Sequence, residues 1–279
     1  MPSTPDADVP PTPPSLDAYP PREIAARIEQ LGVTKARTAL VPLIALSILA
    51  GAFISIGALL YTVVMTDPIG GAGVARWIGG LSFSVGLVLV VVAGAELFTG
   101  NNLIAMAWVS GRIGTREVLR NWIIVYAGNV VGCLGTVAIV LVAGTAEIIG
   151  GEVGALAERI ASAKSELDFV TAFARGILCN ALVCLAVWLA MGGRSVADKI
   201  LAVIFPVAAF VALGFEHSIA NWFFLPYGLA LAEAGSAQLG GAITNLVAVT
   251  AGNIVGGTLL VAGVYSLAYR RGLAAEDSA

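Results

Sequence analysis

The sequence predicts an all-α membrane protein: six transmembrane helices in an inverted 3+3 repeat, with the second and fifth helices broken. Three observations carry this reading. Hydrophobic residues make up 58% of the 279-residue chain and charged residues only 12%, against about 25% charged in soluble domains. Six apolar runs follow one another, and two of them hold ionisable residues well inside their length. The third and sixth runs share a sequence. The mean hydropathy of +0.91 agrees with burial in lipid. The net charge of -3 is small and dispersed, so nothing points to a nucleic-acid partner.

Residues 1–21, "MPSTPDADVPPTPPSLDAYPP", hold most of the prolines and no positive side chain. They read as a disordered tail rather than a signal peptide. Residues 22–37 follow with Ile24, Ile28 and Leu31 at helical spacing against a charged face, which predicts an amphipathic helix along the membrane surface. Residues 38–270 form the membrane domain, and 271–279 a cytoplasmic tail.

A helix needs about 20 apolar residues to cross the hydrocarbon. Thr38–Thr66, Asn121–Ala146, Phe169–Gly193 and Leu239–Tyr269 satisfy this directly. Trp77–Ser110 carries Glu96 and Lys199–Ala232 carries Glu216 and His217. Each is too long for one straight crossing and too short for a hairpin, so each is expected to cross once as two half-helices. Eleven basic residues fall on the side of the termini and three on the other, which puts both termini in the cytoplasm of a multi-pass protein of the cytoplasmic membrane. Cys133, Cys179 and Cys184 lie in apolar runs and form neither a disulfide framework nor a metal spacing.

The repeat is direct. "NWIIVYAGNVVG", from Asn121, and "NLVAVTAGNIVG", from Asn245, share seven of twelve positions. The breaks also match: "ELFTGN" from Glu96 and "EHSIAN" from Glu216 both place an asparagine five residues after the acid. Three spans repeated once invert the second copy. Broken helices at corresponding places point to a transport site, and half-helix amino-termini suit an anion. The Gly-x-x-x-Gly spacing in the paired segments reads as close helix packing.

His217 is the only histidine. An ionisable group at membrane depth is costly and marks a functional site. Glu96 and Glu216 have a structural reading as partners for free backbone at the breaks. Thr99 and Asn180 fit either packing or a polar path, and Lys164 and Arg175 either interfacial anchoring or attraction of an anion.

"AELFTGN", "RGILCNALVCLAVWLA" and "GFEHSIANWFFLP" resemble the signature segments of the formate/nitrite transporter family, and the resemblance covers about residues 33–269. It implies a homopentamer whose protomers each hold a pore in an aquaporin-like fold and pass a small monovalent anion, formate most directly, with nitrite or hydrosulfide as alternatives. It also implies roles. His217, Thr99, Asn180 and Glu216 would form the substrate path and proton relay, with Asn180 bonded to His217. Leu87, Leu97 and Phe210 would form one apolar constriction, and Phe83 with Phe98 the other. Lys164 and Lys35 would attract the anion. No cofactor or metal is expected. The chain reads "TGNN" after Phe98, which departs from the formate-channel pattern in the loop.

Rival classes lack their residues. An intramembrane serine protease needs a Gly-x-Ser-Gly nucleophile, a haem subunit or ammonium channel a second histidine, and a water channel Asn-Pro-Ala motifs; none occurs. A bare anion in an apolar neck faces a desolvation cost of order ~20 kcal/mol in the idealised limit. A histidine between two such necks is expected to donate a hydrogen bond or a proton and so lower it.

Overall fold

The structure is a computed structural model and describes residues 17–232 and 239–269. The expected tails therefore lie largely outside the described residues, as do Arg270 and Arg271. All regular structure among the described residues is helical. Helix α1 spans Pro21–Ala36, with proline at its start where a missing N–H leaves no ladder bond unmade. It is followed by α2, Leu40–Thr66, and α3, Ala72–Ala93. After an interruption, α4, Phe98–Asn101, passes through a 3₁₀ turn into α5, Ala105–Val109.

Helix α6 covers Thr115–Val142 and α7 Glu152–Ser165. Helix α8, Phe169–Gly192, is capped by Asp168, whose carboxylate accepts from the Thr171 amide. Helix α9, Val196–Ala212, opens with a reciprocal cap between Ser195 and Asp198. A second interruption precedes α10, Ser218–Leu231. Helix α11, Leu239–Val255, runs through a π turn, Gly256–Gly263, into α12, Val264–Tyr269.

Five of these stretches are long and apolar enough to cross a membrane: Leu40–Thr66, Ala72–Ala93, Thr115–Val142, Phe169–Gly192 and Leu239–Tyr269. The amphipathic face of α1 does not lie open to lipid. Ile24, Ala25 and Ile28 are buried with Trp188 and Val261, and Tyr265 and Tyr269 of α12 pack on the same cluster. Both described ends of the chain thus sit at one end of the molecule.

Two helix pairs set the frame. The α2–α6 and α8–α11 backbones touch: a Cβ on Gly132 would overlap the Ile48 carbonyl, and one on Gly252 would overlap the Phe173 carbonyl. Glycine supplies close approach, as the Gly-x-x-x-Gly reading anticipates. The α2–α6 contact carries a prediction. Gly132→Ala is expected to force the helices apart at a cost of about 1–3 kcal/mol or more, seen as a lowered thermal midpoint in detergent; an unchanged midpoint would show that the contact yields freely.

Candidate functional site

The two interruptions are built alike. Gly94 and Gly214 end their helices at φ +83 and +74, and the next residues close back on the helix: Ala95 N to Val90 O at 2.9 Å, Phe215 N to Phe210 O at 3.0 Å. A left-handed residue is what this helix ending requires, and glycine takes it without a Cβ penalty. An extended segment then carries Glu96 and Leu97 in the first break, Glu216 and His217 in the second, before the next helix starts.

Each break is held by a matching set of side chains. The first N–H of each new helix finds an asparagine: Phe98 N donates to Asn129 Oδ1 and Ser218 N to Asn253 Oδ1, both at 2.9 Å. The same asparagines donate to the carbonyls of Glu96 at 2.9 Å and Glu216 at 3.0 Å. Backbone at membrane depth is thereby satisfied inside the protein. The glutamates serve differently from the expected backbone role. Glu96 accepts from Lys35 at 2.8 Å and Asn101 at 2.7 Å; Glu216 accepts from Lys164 at 2.8 Å and Asn221 at 2.7 Å. Asn101 and Asn221 reach on to Asn121 and Asn245, whose amides close each ring on the carbonyls of Lys35 and Lys164, both at 3.0 Å.

Sequence reasoning missed Asn121, Asn129, Asn245 and Asn253. All four stand in the two aligned segments, where the glycines drew the interpretation; four identical asparagines in buried apolar runs were the available signal.

His217 caps α10. Its Nδ1 accepts from Ala220 N at 3.0 Å, so the ring proton sits on Nε2, and Nε2–H donates to Thr99 Oγ1 at 3.0 Å. Both side chains are buried. The expected Asn180–His217 bond is absent. Asn180 Nδ2 instead donates to Asn102 Oδ1 at 2.7 Å and to Asn253 O at 2.6 Å. Asn253 O is one turn before Gly257, where Asn180, Asn102 and Cys184 crowd the backbone. A side chain taking a ladder carbonyl is a recognised cause of a local π turn, and the π turn begins at Gly256.

Each break opens on a cavity. One, about 270 Å³, is lined by Leu87, Val90, Glu96, Leu97, Lys35 and Lys199 among others. The other, about 380 Å³, reaches His217 and is lined by Phe83, Phe210, Glu216, Lys164, Arg76 and Arg175 among others. Phe83 and Phe210 meet edge to face at 5.7 Å, and Phe210 stacks on the His217 ring at 6.0 Å. Phe210 thus stands with Phe83 rather than with Leu87 and Leu97. Phe98 lines neither cavity; it packs on Tyr126 and Trp122. Lys35 and Lys164 are each paired with a carboxylate, so the uncompensated charge falls elsewhere. Lys199 in the first cavity, and Arg76 and Arg175 in the second, have no side-chain ion pair or hydrogen bond among the described residues.

Membrane-length helices, two interrupted helical runs that meet through a buried histidine, and a cavity at each interruption define a membrane protein of the channel or transporter class. Comparison with known proteins narrows this. Residues 22–267 match the family described as Formate/nitrite transporter. The chain is 39% identical over 277 residues to the "Formate channel FocA" of Escherichia coli (strain K12), covering 92% of this chain and 96% of that protein. A solved "Pentameric formate channel with formate bound" superposes with a TM-score of 0.74 at 41% identity, over 81% of this chain and 96% of that one. An "FNT family ion channel" gives 0.77 at 27% identity, over 89% and 98%. The chain belongs to the formate/nitrite transporter family.

Proposed function

We propose that the protein is a homopentameric formate channel of the cytoplasmic membrane, with one path through each protomer and no cofactor. Six crossings in an inverted 3+3 arrangement, both termini cytoplasmic, agree with the matching breaks, with the described ends of the chain lying together, and with the bias of basic residues. The relatives named as formate channels support the substrate; nitrite and hydrosulfide are the alternatives within the same family. Transport asks no covalent step of any residue, so the protein is not an enzyme.

The observation that carries the mechanism is the His217–Thr99 contact, which joins the two breaks, each of which opens on its own cavity. Positive charge in both cavities raises the local anion concentration. Leaving water for an apolar neck penalises the charged carboxylate and favours its neutral acid, so formate crosses the neck as formic acid after taking a proton from hydronium of the medium, which is left as water. Before that proton transfer, Thr99 Oγ–H, and His217 Nε2–H once it turns from Thr99 to the anion, replace part of the lost hydration by donating to the carboxylate oxygens. Because Nδ1 holds the α10 cap, His217 acts as a hydrogen-bond donor with its single proton on Nε2. In this reading the ring donates a hydrogen bond and does not relay a proton.

Purified protein in liposomes tests the reading, with formate, nitrite and hydrosulfide in competition. Formate flux that saturates and is displaced by the other two supports it, with the order of displacement giving the preference. No flux above empty liposomes would sink it.

A further inference from the structure

The second cavity carries three cations, Arg76, Lys164 and Arg175, against one carboxylate, Glu216. Lys164 is consumed by Glu216 at 2.8 Å, which leaves the two arginines as a surplus of two charges. The first cavity, with Lys35, Lys199 and Glu96, keeps a surplus of one. A monovalent anion needs only one of the arginines.

Both arginines are tied to the second break. The Arg76 guanidinium lies over Gly214: a Cβ there would come within 2.6 Å of Arg76 Nη2. The Arg175 carbonyl accepts from Glu216 N at 3.3 Å. They come from different helices, α3 and α8, into one space of about 380 Å³, within the roughly 300–1,000 Å³ of small-molecule sites. A guanidinium presents a planar fork that matches a carboxylate in two parallel bonds. Two such forks facing one cavity match a molecule with two carboxylates.

We propose that this cavity binds a short dicarboxylate, one carboxylate on Arg76 and the other on Arg175, and that the bound molecule plugs the path. Its depth is limited by the Phe83–Phe210 pair, beyond which a second charge has no partner to offset its desolvation. The block is one-sided, because the first cavity offers no second unpaired cation among the described residues. The plugging rests on the proposed transport function; the binding does not.

Calorimetric titration of the full-length protein in detergent, with malonate against acetate at matched ionic strength, reads the binding directly. Malonate is expected to bind at least about tenfold more tightly than acetate, from two charge-assisted contacts in place of one. Arg76→Gln and Arg175→Gln are each expected to bring malonate down to the affinity of acetate. Arg175→Lys, which keeps the charge and removes the fork, serves should either glutamine variant fail to assemble, and a weakened affinity is expected there too. In liposomes, malonate on the side of this cavity is expected to slow formate uptake, and malonate on the other side to leave it unchanged. Equal affinity for malonate and acetate, malonate binding that survives the variants, or binding without slowed uptake would each overturn the proposal. Absence of formate flux from the unmodified protein would instead count against the transport function, with the calorimetry still deciding the site.

Discussion

Lys164→Ala is expected to destabilise the protein by about 3–5 kcal/mol, because it leaves the Glu216 carboxylate buried without its cation. Glu216 is 5% exposed and lies 2.8 Å from Lys164 Nζ. The consequence is loss of folded protein rather than a milder uptake of anions at low concentration, which is what a free attracting lysine would give. Thermal unfolding in detergent measures it. Lys164→Met combined with Glu216→Gln removes both charges and is expected to recover much of the loss, since replacing both partners of a buried pair costs far less than removing one. A Lys164→Ala protein with an unaltered midpoint and a weakened flux would restore the attraction role and refute the structural one.

His217→Asn is expected to keep folded yield while lowering formate flux about ten- to a hundred-fold. Asparagine is among the best N-cap residues, so the bond to Ala220 N has a replacement. What disappears is the Nε2–H donor at Thr99. A hydrogen bond to a charged group contributes about 1.5–3 kcal/mol, which is that range of rate if it acts on the barrier. The profile against pH is expected to keep its shape, flux rising as pH falls, because the proton on formate comes from hydronium of the medium and not from the ring. A flattened profile in assembled His217→Asn protein would instead establish a ring that carries the proton across.

The architecture was legible because hydropathy and repetition survive in one dimension. Thr38–Thr66 and Leu40–Thr66 differ by two residues at one end, and the two breaks stood out through Glu96, Glu216 and His217 in apolar runs. The Lys–Glu pairing was not legible. Lys35 and Glu96 are 61 residues apart, Lys164 and Glu216 52 apart, and neither helical nor strand periodicity relates such positions. A lone lysine near an apolar run looks like a free charge until its partner is known. Asn180 fell to a related difficulty. Its neighbours in space are Asn102 and Asn253, and the π turn that accompanies its bond to the Asn253 carbonyl has no spacing signature of its own. Phe98 and Phe83 are both apolar residues beside a break, and only packing separates the one against Tyr126 and Trp122 from the one facing a cavity.

Each ring of ion pair and amides closes within its own stretch of chain, residues 35–129 in one case and 164–253 in the other. Polar contacts that join the stretches include Thr99 with His217, Asn102 with Asn180, the Cys184 thiol with the Thr99 carbonyl, and Tyr126 with Thr250 and Trp222. The connection between α6 and α7 contributes to neither ring. A chain severed there would leave two fragments that each retain a whole ring, so the two pieces are expected to reassemble when expressed together. Complementation of that kind would rebuild the His217–Thr99 contact only when the fragments met, making the histidine a reporter of reunion as well as a residue of the path.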